Sequence, residues 1–242
     1  MHDSSVSRHV RPLEPVIGSW GSEDGLPLAT RRVADLLDPA VCRWVGGDRG
    51  LLAPVVDRVL YQARRDVLPP VMMNGRRWRS DLVRYEPGAL PTGELHRSLG
   101  HWNSPAQYEV FETVSGTVLL IVATPQGQVT YQVCGPGDLA AVPMGGWHLT
   151  YVLDGPAFVF NVYADERDLP HRKFGRNDAL RCWARAGTSL PEVRTADGLP
   201  VRASAAWPEA TVRSLAGRQL SEAYADADPR VFDAIVADCC PV

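Results

Sequence analysis

Residues 100–116 read GHWNSPAQYEVFETVSG and residues 137–152 read GDLAAVPMGGWHLTYV. Each is rich in β-branched and aromatic residues and is bounded or interrupted by glycine, the composition of strands joined by tight turns. His101 and Asn103 stand two apart, and side chains two apart on a strand share a face, so both can point into one interior. Glu109 follows, then six residues, then Gly116; in the second stretch five residues separate Gly137 from Pro143, and Gly145 and His148 follow. Separate strands thus offer imidazole and carboxylate groups, both of which ligate divalent metals.

The same grammar continues outward. DLVRY (81–85), QYEVFETV (107–114), TVLLIVA (117–123), QVTYQV (128–133), DLAAVP (138–143), WHLTYVL (147–153) and AFVFNVY (157–163) are short β-prone runs. Turn signals part them at roughly 8–12 residues, as in a sandwich or barrel: Pro87-Gly88, Ser115-Gly116, Pro125-Gln126-Gly127, Pro136-Gly137, Gly145-Gly146 and Asp154-Gly155-Pro156. A parallel sheet would need helical crossovers for which there is no room, so the strands are expected to close as a jelly roll or related barrel. The fold class is therefore all-β, with a barrel core at about 80–165.

Around that core the chain divides into a flexible N-terminal arm (1–30), a barrel domain with flanking elements (31–205) and a helical tail (206–242). A short helix is expected at 31–36, a helix or a strand at 54–63, and a strand near 180–187. Arg76, Arg77, Arg79 and Arg84 read as a solvated loop, with bidentate binding of a phosphate or carboxylate as the alternative.

Composition narrows the function. The 242 residues carry a formal charge of −3 and a pI near 6.1, without the basic excess that nucleic acid or an anionic membrane demands. Lys173 is the single lysine, which leaves little scope for Schiff-base chemistry. Cys42, Cys134, Cys182, Cys239 and Cys240 lack CxxC spacing and are read as reduced thiols. No signal-peptide pattern and no long apolar run occur, so a cytoplasmic, non-membrane protein acting on a small molecule is expected.

The two quoted stretches resemble the paired motifs of the cupin superfamily. There the first motif carries a glycine, a His-x-His pair, a glutamate and, six residues on, a glycine; the second is G-x5-P-x-G-x2-H-x3-N. This chain follows the second motif through His148, has Val152 in place of the usual asparagine, and has Asn103 in place of the usual second histidine. The resemblance implies a double-stranded β-helix holding one divalent ion (Fe, Mn, Ni or Zn) through His101, Glu109 and His148. Asn103 completes that shell, or His96 does, or three ligands suffice. Trp102 and Trp147, flanking the ligand positions, are expected to wall the pocket with bulky rings.

A closer resemblance, specific over about the middle 70 residues, is to the cupin-type glucose-6-phosphate isomerases of archaea and bacteria. It rests on Ser98-Leu99-Gly100-His101-Trp102-Asn103, Glu109-Val110-Phe111, Thr124-Pro125-Gln126-Gly127, Pro136-Gly137, Val142-Pro143 through His148, and Tyr163-Ala164-Asp165, all in family order. It implies aldose–ketose isomerisation through an enediol with Glu109 as the proton carrier. By the same likeness Ser98 and Gly100 lie near substrate phosphate, Tyr163 near the open sugar chain and His171 at the pocket mouth. His96 reads as a strand-face or rim residue, with a substrate contact as its functional alternative. Cupins commonly pair through strand edges, so a homodimer is expected. Two rivals stand beside this reading: a cupin oxygenase or lyase of a specialised pathway, and a non-catalytic small-molecule binder.

Overall fold

Two long strands organise the molecule. In the computed structural model, described for residues 12–22, 28–39, 42, 44–165, 182–185, 191–195, 200–204 and 208–240, twelve strands are seen. They are β1 (Leu28–Arg32), β2 (Val59–Arg65), β3 (Val71–Met73), β4 (Arg76–Tyr85), β5 (His101–Trp102), β6 (Tyr108–Ala123), β7 (Val129–Cys134), β8 (Leu139–Val142), β9 (Trp147–Asp165), β10 (Cys182–Arg185), β11 (Glu192–Thr195) and β12 (Arg202–Ala203). The main sheet runs β1-β2-β4-β9-β6-β7-β12, with β3 on β4, β5 on β9 and β8 on β6. A hairpin of β10 and β11 stands apart from it.

Sequence reading places breaks at Ser115-Gly116 and at Asp154-Gly155-Pro156. The structure instead carries β6 and β9 straight through both, pairing them from Tyr108↔Ala164 to Ala123↔Trp147 with irregular register between Thr113 and Val118. Gly116 shows why: its φ is +74°, and a Cβ there would lie 2.7 Å from Ala157 Cα, so glycine lets the two backbones touch where the sheet bends. The turn signals are real, but they mark a bulge that folds one ladder over the barrel rather than a loop that ends it. The barrel also recruits β1 and β2, which precede the expected core.

Both faces of the long strands are covered, which explains their unbroken apolar runs. Inside, Phe111, Val118, Leu120, Val142, Val152 and Val159 form the barrel core. Two short helices, α1 (Glu14–Gly18) and α2 (Val33–Leu37), precede the long strands. Outside one half of the sheet, Trp78, Val110, Phe160 and Val162 meet side chains of the three C-terminal helices: α3 (Glu209–Leu215), α4 (Leu220–Ala225) and α5 (Pro229–Cys239). Outside the other half, Leu119, Ile121, Trp147, Leu149 and Tyr151 lie with Ala184 and Val193 of the hairpin. Phe232 on α5 is 1% exposed, and burial of such a side chain stabilises by about 1.5–3 kcal/mol.

Part of the stretch expected as a flexible arm is packed. Leu13 is buried, Trp20 meets Phe158 edge-on with centroids 5.1 Å apart, and its indole N–H donates to Gln62 Oε1 at 3.1 Å. Its large apolar groups, sparse but well placed, are what seat it. No helix among the described residues is long and apolar enough to cross a membrane.

Candidate metal centre

Strand pairing brings the two imidazoles together before any side-chain chemistry is considered. His101 on β5 and His148 on β9 are direct cross-strand partners, and in antiparallel strands such partners share a face. Their ring centroids are 4.2 Å apart at 70°. Glu109, on the inward face of β6, sits between Val142 and Tyr163. The ligating atoms of His101, Glu109 and His148 all lie within 4.8 Å of one another.

The surroundings prepare this cluster for a cation. Glu109 Oε2 accepts hydrogen bonds from Asn103 Nδ2 at 2.8 Å and Gln107 Nε2 at 3.4 Å, while His148 Nδ1 stands 3.8 Å away. Burial pushes the His148 imidazole down to about 3, so the ring is neutral at ordinary pH, as a metal ligand must be. Its Nδ1 and the Oδ1 of Asn103 are buried and without a hydrogen-bond partner. Such orphaned acceptors are costly in an empty interior and are satisfied by a bound cation. Two imidazoles, a carboxylate and an amide oxygen suit Fe(II), Mn(II), Ni(II) or Zn(II). Asn103 is buried against this cluster, and its amide nitrogen steadies the carboxylate.

The other expected site residues separate. Ser98 runs alongside β9, its N–H donating to Thr150 O at 2.8 Å and its hydroxyl accepting from Thr150 N at 3.0 Å; Gly100, with φ +68°, lacks the Cβ that would stand 3.2 Å from His148 O. Both shape the strand that delivers His101. Tyr163 faces inward beside Glu109. His96 stands outside the cluster: its Nδ1 is 3.1 Å from Glu86 O, and it lines a cavity of about 420 Å³ with Arg58, Gln62 and Glu86. It therefore completes no metal shell. His171 lies outside the described residues.

Two further expectations are corrected by strand alternation. Trp102 and Trp147 are paired with each other on the face opposite to His101 and His148, and Trp147 is fully buried in the outer cluster, so neither ring walls the pocket. The arginines at 76–84 lie on β4 rather than in a loop. Arg79 points inward, its Nε and Nη2 donating to the two Asp66 carboxylate oxygens at 2.8 and 2.7 Å; Arg84 pairs with Glu86 at 3.2 Å. Sequence reading missed Gln107, although its spacing of two from Glu109 places it on the same strand face. It also missed Asp81, buried at 1% exposure of its side chain and ion-paired with Arg65, where burial raises the carboxyl and Arg65 opposes the rise.

No family profile and no curated protein matches this chain. Among solved structures, KdgF from a Halomonas species is 16% identical over 45% of this chain and 82% of its own, with a TM-score of 0.33. An oxalate decarboxylase of Bacillus subtilis is 20% identical over 47% of this chain and 27% of its own, at 0.35, and the Lactobacillus farciminis oxalate decarboxylase formate complex is 18% identical over 46% and 29%, at 0.34. The matched stretch thus spans little more than a quarter of the decarboxylase chains. The strand order and the inward ligand cluster of this chain are those of an all-β barrel. In it the two motif stretches meet as adjoining strands, and Val152, where the resembled motif usually has asparagine, packs with the barrel core.

Proposed function

We propose that the chain is a metal-dependent aldose–ketose isomerase acting on a sugar phosphate or a related polyhydroxy carbonyl compound. The observation that supports this reading is a buried carboxylate, Glu109, held by two amide donors and placed within 4.8 Å of two imidazoles. His101, His148 and Glu109, with Asn103 Oδ1, would hold the ion. When bound, such an ion polarises a carbonyl and orients the neighbouring hydroxyl.

The remaining chemistry belongs to the chain. Glu109 accepts a proton from one carbon of the hydroxy-carbonyl pair and returns it to the other, which needs a carboxylate close to the substrate and fixed in direction. Asn103 and Gln107 supply that fixity. Tyr163, the cross-strand neighbour of Glu109, presents a hydroxyl to the same interior, and the packed apolar core beneath keeps water from the proton in transit.

The reading is tested by elemental analysis of the purified chain together with proton exchange. The metal-loaded protein should incorporate solvent deuterium into the C1–C2 fragment of fructose 6-phosphate and yield the aldose. A protein that holds its metal yet exchanges nothing rules this activity out.

A further inference from the structure

The barrel interior next to the metal cluster is polar in a pattern that packing does not require. One inward row across the sheet runs Arg79–Tyr163–Glu109 and the next runs Arg65–Asp81–Asn161–Phe111. The row beyond is apolar on β2, β4 and β9, with Ala63, Val83 and Val159, so the wall accepts aliphatic residues on those strands. Asp81 is buried at 1% exposure of its side chain, and burying a carboxylate carries a desolvation cost that an aliphatic side chain at the same position would not. Its presence therefore asks for a role.

The details indicate what that role is. Asp81 takes Arg65 Nη1 and also accepts from the Tyr163 hydroxyl at 3.4 Å and the Asp66 N–H at 3.3 Å. Arg65, unlike Arg79, keeps 54% of its side-chain surface exposed, which leaves the Nε–Nη2 edge of its fork for another partner. Such an edge matches a phosphate or carboxylate in two parallel hydrogen bonds. Between Asp81 and the metal cluster lies Asn161, 8% exposed, whose Oδ1 is buried without a partner. An orphaned acceptor in that position is satisfied by a donor such as a hydroxyl. From Glu109 to Arg65 is three strand spacings, about 14 Å along the curved wall and less across it.

We propose that Arg65 holds the anionic terminus of the substrate and Asn161 accepts one of its hydroxyls, with Asp81 as the positioning residue that fixes Arg65 and Tyr163. The inference rests on the isomerase reading for what happens at the other end of the ligand, but the recognition it describes is independent of turnover.

The test is a binding titration of the metal-loaded chain with three six-carbon probes: glucitol, glucitol 6-phosphate and gluconate. One anionic probe should bind at least about tenfold more tightly than glucitol, and which of the two does so identifies the anion as phosphate or carboxylate. Arg65→Gln should bring that preference close to one while metal content is retained; Arg213→Gln, the same change of charge on α3, should leave it intact. Asn161→Leu should weaken all three probes by a similar factor of about five or more. A wild-type chain that does not distinguish the anions from glucitol, or an Arg65→Gln variant that keeps the preference, overturns the assignment of Arg65. Unaltered affinities in Asn161→Leu overturn that of Asn161. A preference that Arg65→Gln removes, in a protein without proton exchange, upholds this inference and sinks the isomerase reading alone.

Discussion

Glu109 and Glu112 lie three residues apart on the same strand, both about 4% exposed, and they do unlike things. Glu109 faces the interior among imidazoles and amides. Glu112 faces outward, where its Oε2 accepts the Leu220 N–H at 3.0 Å and so ties the start of α4 to the barrel. Burial pushes the Glu112 carboxyl up to about 7. The odd spacing alone puts them on opposite faces; what each face meets makes one a candidate for chemistry and the other a structural clasp.

The sharpest way to break this comparison is to neutralise each carboxylate in turn. Glu109→Gln should lower deuterium exchange per bound metal ion by about 10²–10⁴-fold, the usual contribution of a general base, and should also weaken metal binding, because the carboxylate is one of the groups that would hold the ion. Full exchange in that variant would remove Glu109 from the reaction.

Glu112→Gln should do the reverse, sparing exchange and metal but altering stability. Its folded value of about 7 lies above the ordinary 4.5, so the neutral form favours folding: the contribution is fully present below pH 4.5 and is lost as pH rises through about 7. The variant, which never ionises, should therefore exceed the parent at about pH 8 by up to about 3 kcal/mol, and the gap should close as pH falls. Urea melts across that range measure it. A gap that widens toward acid would show that the clasp works in its charged form.

The smallest expected effect sharpens the inner face. Asn103→His replaces an amide oxygen with an imidazole, a stronger ligand for these metals. It should tighten metal binding by about tenfold, or about 1.4 kcal/mol, as read by competition with a chelator. Unchanged affinity would mean that position 103 serves Glu109 and not the ion.

Much of the inner face was readable without coordinates. His101, Glu109 and His148 could be picked out because motif spacing and strand alternation are local properties of the chain. Trp102 shows the limit of using spacing without parity: a neighbour of a ligand in sequence points away from it in a strand. Arg65 and Asp81 were illegible for another reason. They are 16 residues apart and become partners only through the β2–β4 register, which no periodicity announces. His96 was misplaced because proximity along the chain to His101 says nothing of distance once the chain passes through Gly100 and along β9.

By itself, then, the sequence determined an all-β barrel, the residues able to grip a divalent ion, and the absence of the basic excess that a nucleic-acid partner requires, since these depend on composition, turn chemistry and a period of two. Only the tertiary structure decided that β6 and β9 each run unbroken over the bend, that three terminal helices close the outer face, and that an arginine on β2 shares an interior with Glu109. Those facts depend on register and closure, where residues far apart in the chain compete for the same neighbours, and the winner is set by packing the whole sheet at once.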